Sequence, residues 1–193
     1  GVAALCLALA LCFRCLSAGA TAGVAYAATA SRAAYTADEF KITQDGVTYS
    51  CETTDKGTAE ITGIVADDSV TAVNVPGSIE HGGQTYRVTE LKFSSGIVAE
   101  NVEQLTLPDT LENVYGWYFR KFAKVKELHI PGSIKDFSCT LQNSRSLEKL
   151  YFDEGVEEIS ANMMVNGCSS LSEIDLPSTL KTISGSGAFE GAT

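Results

Sequence analysis

Every proline of this 193-residue chain stands in one kind of context. The segments are "VNVPGSI" at 73–79, "LTLPDTL" at 105–111, "LHIPGSI" at 128–134 and "IDLPSTL" at 174–180. A fifth copy, "LYFDEGV" at 150–156, carries Asp153 in the proline slot. Successive copies are spaced by 32, 23, 22 and 24 residues. A unit of this size cannot enclose a core, whereas stacked units bury a ladder of like residues, each packed on its equivalents above and below. No other feature of the sequence constrains the fold as tightly.

The register runs through each copy. A further apolar anchor follows at Val114, Phe137, Ile159 and Ile183, and a bulky position recurs at Phe119, Leu141, Val165 and Phe189. In three units Val125, Leu147 or Leu171 comes six residues later, and the next strand opens soon after. Residues two apart on a strand share a face. Leu105 and Leu107, Leu128 and Ile130, Leu150 and Phe152, and Ile174 and Leu176 are therefore expected to point inward, each contributing about 1.5–3 kcal/mol if fully buried. Proline has no N–H to donate, so it ends the strand ladder and turns the chain. The first unit is longer because "EHGGQTYR" is inserted, and Gly82-Gly83 suits a tight hairpin turn.

The stretch "SSLSEIDLPSTLKTISGSGAFEG" at 169–191 resembles the BspA-type leucine-rich-repeat family of bacterial surface proteins. The match covers about 70–193. Departures are visible where the family's Ala-Phe is Tyr118-Phe119 or Met164-Val165, and where unit 128–149 is shortened after Phe137. The resemblance implies a curved solenoid with parallel strands on one face, surface display, and binding of host or neighbouring-cell proteins without catalysis. The expected fold is thus a β-rich leucine-rich-repeat solenoid of parallel strands stacked at a period of about 23 residues over 70–193, cut off in mid-repeat. The end at "GAFEGAT" is expected to leave Leu176 and Ile183 exposed, with more repeats or a cap to follow.

Ahead of the repeats, residues 40–69 alternate like strands, with Val47, Tyr49 and Cys51 on one face and Ala59 and Ile61 resuming after "TTDKGT". Asp45-Gly46 signals a hairpin, and the segment is placed to serve as an N-terminal β-hairpin cap over the first repeat. Residues 28–39 read as a linker. Residues 1–27 read as a signal peptide truncated at its start, because the apolar run "GVAALCLALALCF" is too short to span a bilayer and Ala25-Tyr26-Ala27 fits a small-x-small cleavage site before Ala28. An uncleaved anchor is the alternative. A secreted or cell-surface location follows, with the membrane engaged only through the signal or through an anchor outside this chain.

Charge tests the most provocative run, "YGWYFRKF" at 115–122. Aromatic platforms beside basic side chains suit single-stranded nucleic acid. The chain nevertheless carries 24 acidic residues against 14 lysines and arginines, a formal charge of −10, and such a surface repels phosphate backbones. No nucleic-acid partner is expected. By register Phe119 is a core position, and Trp117 and Tyr118 stand where Met163 and Met164 stand in a later unit. Arg120, Lys121, Lys124 and Lys126 form the one basic cluster, a solvated edge or a local anion or sialylated-glycan site.

No catalytic set emerges. His81 and His129 are the only histidines, and no Ser, Cys or carboxylate motif places a partner beside either. Cys51, Cys139 and Cys168 have no metal-like spacing and read as buried thiols, with a Cys139–Cys168 bridge left open. No enzyme activity, cofactor or metal is expected. The residues between inward positions should form one outward column of Asn74, Thr106, His129, Tyr151 and Asp175, flanked by Ala72, Gln104, Glu127, Lys149 and Glu173. His129, Tyr151 and Asp175 are the candidate contacts for an extracellular protein or glycan, with Trp117 and Tyr118 as a second patch. The alternatives are a structural spacer, or the repeat region of a larger surface enzyme.

Overall fold

The computed structural model describes residues 35–93, 96–116 and 119–191. The signal-peptide reading of 1–27, most of the linker, and the Trp117–Tyr118 patch lie outside them. The described residues form a β-rich repeat fold whose one apolar cluster runs from Val47 to Leu171.

The chain enters through β1 (Glu39–Gln44) and β2 (Val47–Thr53), joined by Asp45-Gly46 with both φ angles positive, 50° and 75°. That two-residue turn matches the right-handed twist of the flanking strands. Just before β1, the Tyr35 hydroxyl donates to Thr53 Oγ1 at 2.6 Å and the Asp38 N–H donates to the same oxygen at 3.0 Å, so the end of the stretch read as linker is already tied to the sheet. Strand β3 (Ala59–Ala66) pairs antiparallel with β2. Val47, Tyr49 and Cys51 are buried on one face, against Ala59, Ile61 and Ile64.

Strand β4 (Ala72–Asn74) opens the first repeat. The inserted segment is a hairpin of β5 (Ser78–His81) and β6 (Gln84–Lys92), turned by Gly82 and Gly83 at φ 59° and 80°. Strand β6 runs on parallel to β3, which also pairs with β7 (Ile97–Val98). Strand β8 (Gln104–Thr106) pairs parallel with β4, and β9 (Asn113–Tyr115) pairs parallel with β6. A short 3-10 turn at Phe119–Lys121 buries Phe119.

Two parallel sheets then build the remaining units. One contains β10 (Glu127–Ile130), β12 (Lys149–Phe152) and β14 (Glu173–Asp175); the other contains β11 (Asp136–Phe137), β13 (Glu158–Ile159) and β15 (Thr182–Ile183). Leu128 pairs with Leu150 and Leu150 with Ile174, so like stacks on like. The Asp153 N–H donates to the Ile130 carbonyl at 2.9 Å. Proline at 177, the same slot one unit on, has no N–H to donate, and β14 stops at Asp175.

Burial follows the expected register through most of the array. Leu105, Leu107, Leu128, Ile130, Leu150 and Phe152 are all buried, as are Phe119, Leu141 and Val165. The last unit departs from it: Ile174 is half-buried, while Leu176 and Ile183 are 40% and 47% exposed, no described unit being stacked over them.

Candidate functional site

The solvent side of the β10–β12–β14 sheet is built from the residues that alternate with the buried ladder. Register places Glu127 beside Lys149 and Lys149 beside Glu173 in one row, with His129 beside Tyr151 and Tyr151 beside Asp175 in the next. Neighbours within a row therefore sit on adjoining strands about 4.8 Å apart. His129 and Tyr151 stack, their ring centroids 4.7 Å apart and their planes at 29°. The two rings, one on each of two adjoining strands, cover one another's inner faces.

Carboxylates surround that pair. His129 Nε2 lies 3.1 Å from Glu127 Oε1, and Nδ1 lies 3.5 Å from Asp153 Oδ1. The Tyr151 hydroxyl donates to Glu173 Oε1 at 3.1 Å, and Lys149 Nζ lies 3.5 Å from Glu173 Oε2. The Tyr151 hydroxyl and the Glu173 carboxylate hold the Lys149 ammonium above its ordinary pKa. Partial burial and the bond to Glu173 raise the Tyr151 phenol in turn. The face thus offers a stacked ring pair, a hydroxyl, an ammonium and several acceptors at once. Ring area combined with hydrogen-bonding groups is the chemistry that protein interfaces use.

The sequence-expected column is brought together in part. His129, Tyr151 and Asp175 share one sheet, and Asn74 and Thr106 sit opposite each other on the separate β4–β8 pair. Asp153 was not anticipated as a neighbour of His129; its signal was the exchange of proline for an acidic residue in the repeat slot. In the basic cluster, Lys124 donates to the Asn101 side-chain oxygen at 2.9 Å and Lys126 pairs with Glu148 at 2.9 Å, while Arg120 and Lys121 are exposed. His81 belongs to the N-terminal sheet, stacked on Phe40 at 3.8 Å and 2.8 Å from Asp38. Cys51, Cys139 and Cys168 are free and buried. Among the described residues no group of three or more His, Cys, Asp or Glu is placed to hold a metal, and no helix is long and apolar enough to cross a membrane.

Stacked parallel strands with leucine and isoleucine ladders inside and a polar column outside define a leucine-rich-repeat protein. Residues 88–193 match the BspA type leucine rich repeat region in six copies, more than half of the chain, and the chain belongs to that family. A leucine-rich repeat protein from Bacteroides ovatus superposes with a TM-score of 0.57 at 19% identity, over 75% of this chain and 47% of that one. A leucine rich cell surface protein from Faecalibacterium prausnitzii gives 0.43 at 17% identity, over 75% and 44% of the two chains. The T. pallidum leucine rich repeat protein gives 0.45 at 15%, over 67% and 80%. The chain spans about half the length of the first two. The first likeness supports the fold. No curated protein matches the chain.

Proposed function

We propose that this chain is an exported, cell-surface interaction module, adhesin-like in action, that binds extracellular proteins or glycans through the outer face of its parallel sheet. In this reading the units form a solenoid with a period of about 23 residues, and the β1–β2–β3 segment caps its first core face. Membership of a family of bacterial surface proteins supports the location. The role is recognition, without catalysis.

One observation carries the reading: the His129–Tyr151 stack presented to solvent among Glu127, Asp153 and Glu173. A cross-strand ring pair helps hold the sheet together, and its exposed edges also give a binding face contact area at low entropic cost. Asp175 extends the row by one strand. The test is binding of the labelled chain to intact host cells and to a glycan array, compared with a variant carrying His129→Ala, Tyr151→Ala and Asp175→Ala. Loss of one or two hot-spot contacts predicts at least tenfold weaker binding. The melting temperature should change little, because the three side chains stand outside the core. Unchanged binding by the triple variant would move the site off this face and favour the spacer.

A further inference from the structure

Successive units are tied by a repeated pair of backbone bonds. Glu103 and Gln104 donate their N–H groups to the Thr71 carbonyl, Glu148 and Lys149 to Lys126, and Ser172 and Glu173 to Glu148. The corresponding donation from Lys126 and Glu127 to Glu103 is missing among the described residues, and β8 does not pair with β10. The second sheet is interrupted at the same interface. Glu157 and Glu158 donate to Lys135, and Lys181 and Thr182 to Glu157, but Lys135 and Asp136 make no such bond to Glu112, and β9 does not pair with β11. Among the described residues one hydrogen bond spans from before residue 117 to beyond residue 126, the Cys139 thiol donating to the Gly116 carbonyl at 2.9 Å.

Three openings line this one interface. A void of about 10 Å³ lies between Phe119 and Phe122 on one side and Leu141 and Ser144 on the other. On the sheet face a groove of about 460 Å³ separates Glu103 and Gln104 from Lys126 and Ser146. A cleft of about 180 Å³ is lined by Val114 and Gly116 from one unit and by Ser138 and Thr140 from the next.

The repeat register supplies a physical cause. Phe122 occupies the position held by Ser144 and Cys168 in the next two units. Phe122 and Ser144 line the same void, so a phenyl ring faces a side chain too small to fill the space beside it, and the buried Ser144 hydroxyl is left without a partner. The apolar cluster continues across the interface through Leu105, Phe119, Phe122, Val125 and Leu128. Apolar contact is non-directional and tolerates sliding, whereas a ladder bond weakens steeply with misalignment. An interface held by the first and lacking the second can tilt without losing its core.

We infer that the interface between the unit opening at Leu105 and the unit opening at Leu128 is a hinge. The described residues before 117 and those from 127 to 191 tilt against each other as two bodies. The hinge crosses the outward column, so tilting changes the spacing between Thr106 and His129 while leaving His129, Tyr151 and Asp175 fixed in one sheet. A partner that touches both bodies selects one tilt, and the face adapts its curvature to what it binds.

The test uses the 193-residue chain in solution by nuclear magnetic resonance, and does not require a ligand. Residual dipolar couplings of backbone amides within 47–115 and within 128–174 should each fit the structure with one alignment tensor, while both sets together require two. In parallel, the Glu127 and Asp136 amides should exchange with deuterium at least tenfold faster than their ladder counterparts Lys149 and Glu158. One tensor accounting for both sets overturns the hinge, whatever the exchange rates. Equal protection of Glu127 and Lys149 overturns the missing ladder on which the hinge rests.

Discussion

The motif Pro-Gly-Ser-Ile occurs twice, at 76–79 and 131–134, and the structure gives its two glycines opposite tolerances. A Cβ added at Gly132 would lie 1.8 Å from the Glu154 carbonyl oxygen and 2.7 Å from its carbon, where even 3.0 Å is tighter than real contacts allow. The obstacle is backbone, and it is anchored. The Gly155 N–H donates to Thr179 Oγ1 at 2.8 Å, and the Glu154 carboxylate accepts from the Ser178 N–H at 2.8 Å. Gly132→Ala must push that segment back by about 1 Å, which strains or breaks those bonds to the next unit. Overpacking of this kind costs about 2–3 kcal/mol. In a chain of this size that lowers the melting temperature by about 4–12 °C.

Gly77 is the control. Its added Cβ would meet the Thr110 side chain at 3.3 Å, and a side chain can yield. Neither glycine has a positive φ, so backbone strain does not enter. Gly77→Ala also gains about 0.4–1 kcal/mol by restricting the unfolded chain. The expected result is a large drop for Gly132→Ala and a change within about 1 kcal/mol for Gly77→Ala, followed by thermal and urea unfolding in circular dichroism. Equal melting temperatures for the two variants would refute the claim that close approach of successive units, rather than the local motif, decides where glycine is required.

Three further outcomes follow from the same structure. Ile130 is fully buried and Thr106 points outward, so Ile130→Asp should cost roughly 4 kcal/mol or more and Thr106→Asp almost nothing in a denaturant titration. Glu52 faces Glu39 and Glu60 across neighbouring strands, and partial burial, then Glu60 and Glu39, raise its pKa above the ordinary glutamate value. A raised carboxyl pKa favours the protonated folded state, so its destabilisation is absent below the unfolded value of about 4.3 and grows as pH rises through the folded one. Glu52→Gln should therefore raise the melting temperature at pH 7 and lose that advantage at pH 4, and an equal shift at both would sink the assignment. Burial pushes the Cys51 and Cys139 thiols up to about 12, so a disulfide reagent at pH 8 should leave both unmodified in the folded chain and label them on unfolding.

What the sequence determined by itself is the alternation of inward and outward residues and the places where strands end. Proline spacing locates each unit, Asp45-Gly46 and Gly82-Gly83 specify two-residue turns, and the pairs Leu128/Ile130 and Leu150/Phe152 declare their burial. These are properties of a few neighbouring residues, set by backbone sterics and by a period of two, so they are legible along a line. The candidate site was legible to the same extent: His129 and Tyr151 could be placed on one outward column.

Only the tertiary structure decided how the units meet sideways. The distance at which rings stack, the approach of Asp153 to His129, and the row Glu39–Glu52–Glu60–Glu90 depend on lateral register, which shifts at irregularities near Ser50 and Glu60. The missing ladder between β8 and β10 is of the same kind. Phe122 reads in sequence as one more aromatic in a crowded run, and its effect comes from the serine it meets in the next unit. Lateral register is set by side-chain volume and bulges summed over whole units, a quantity that no local pattern contains.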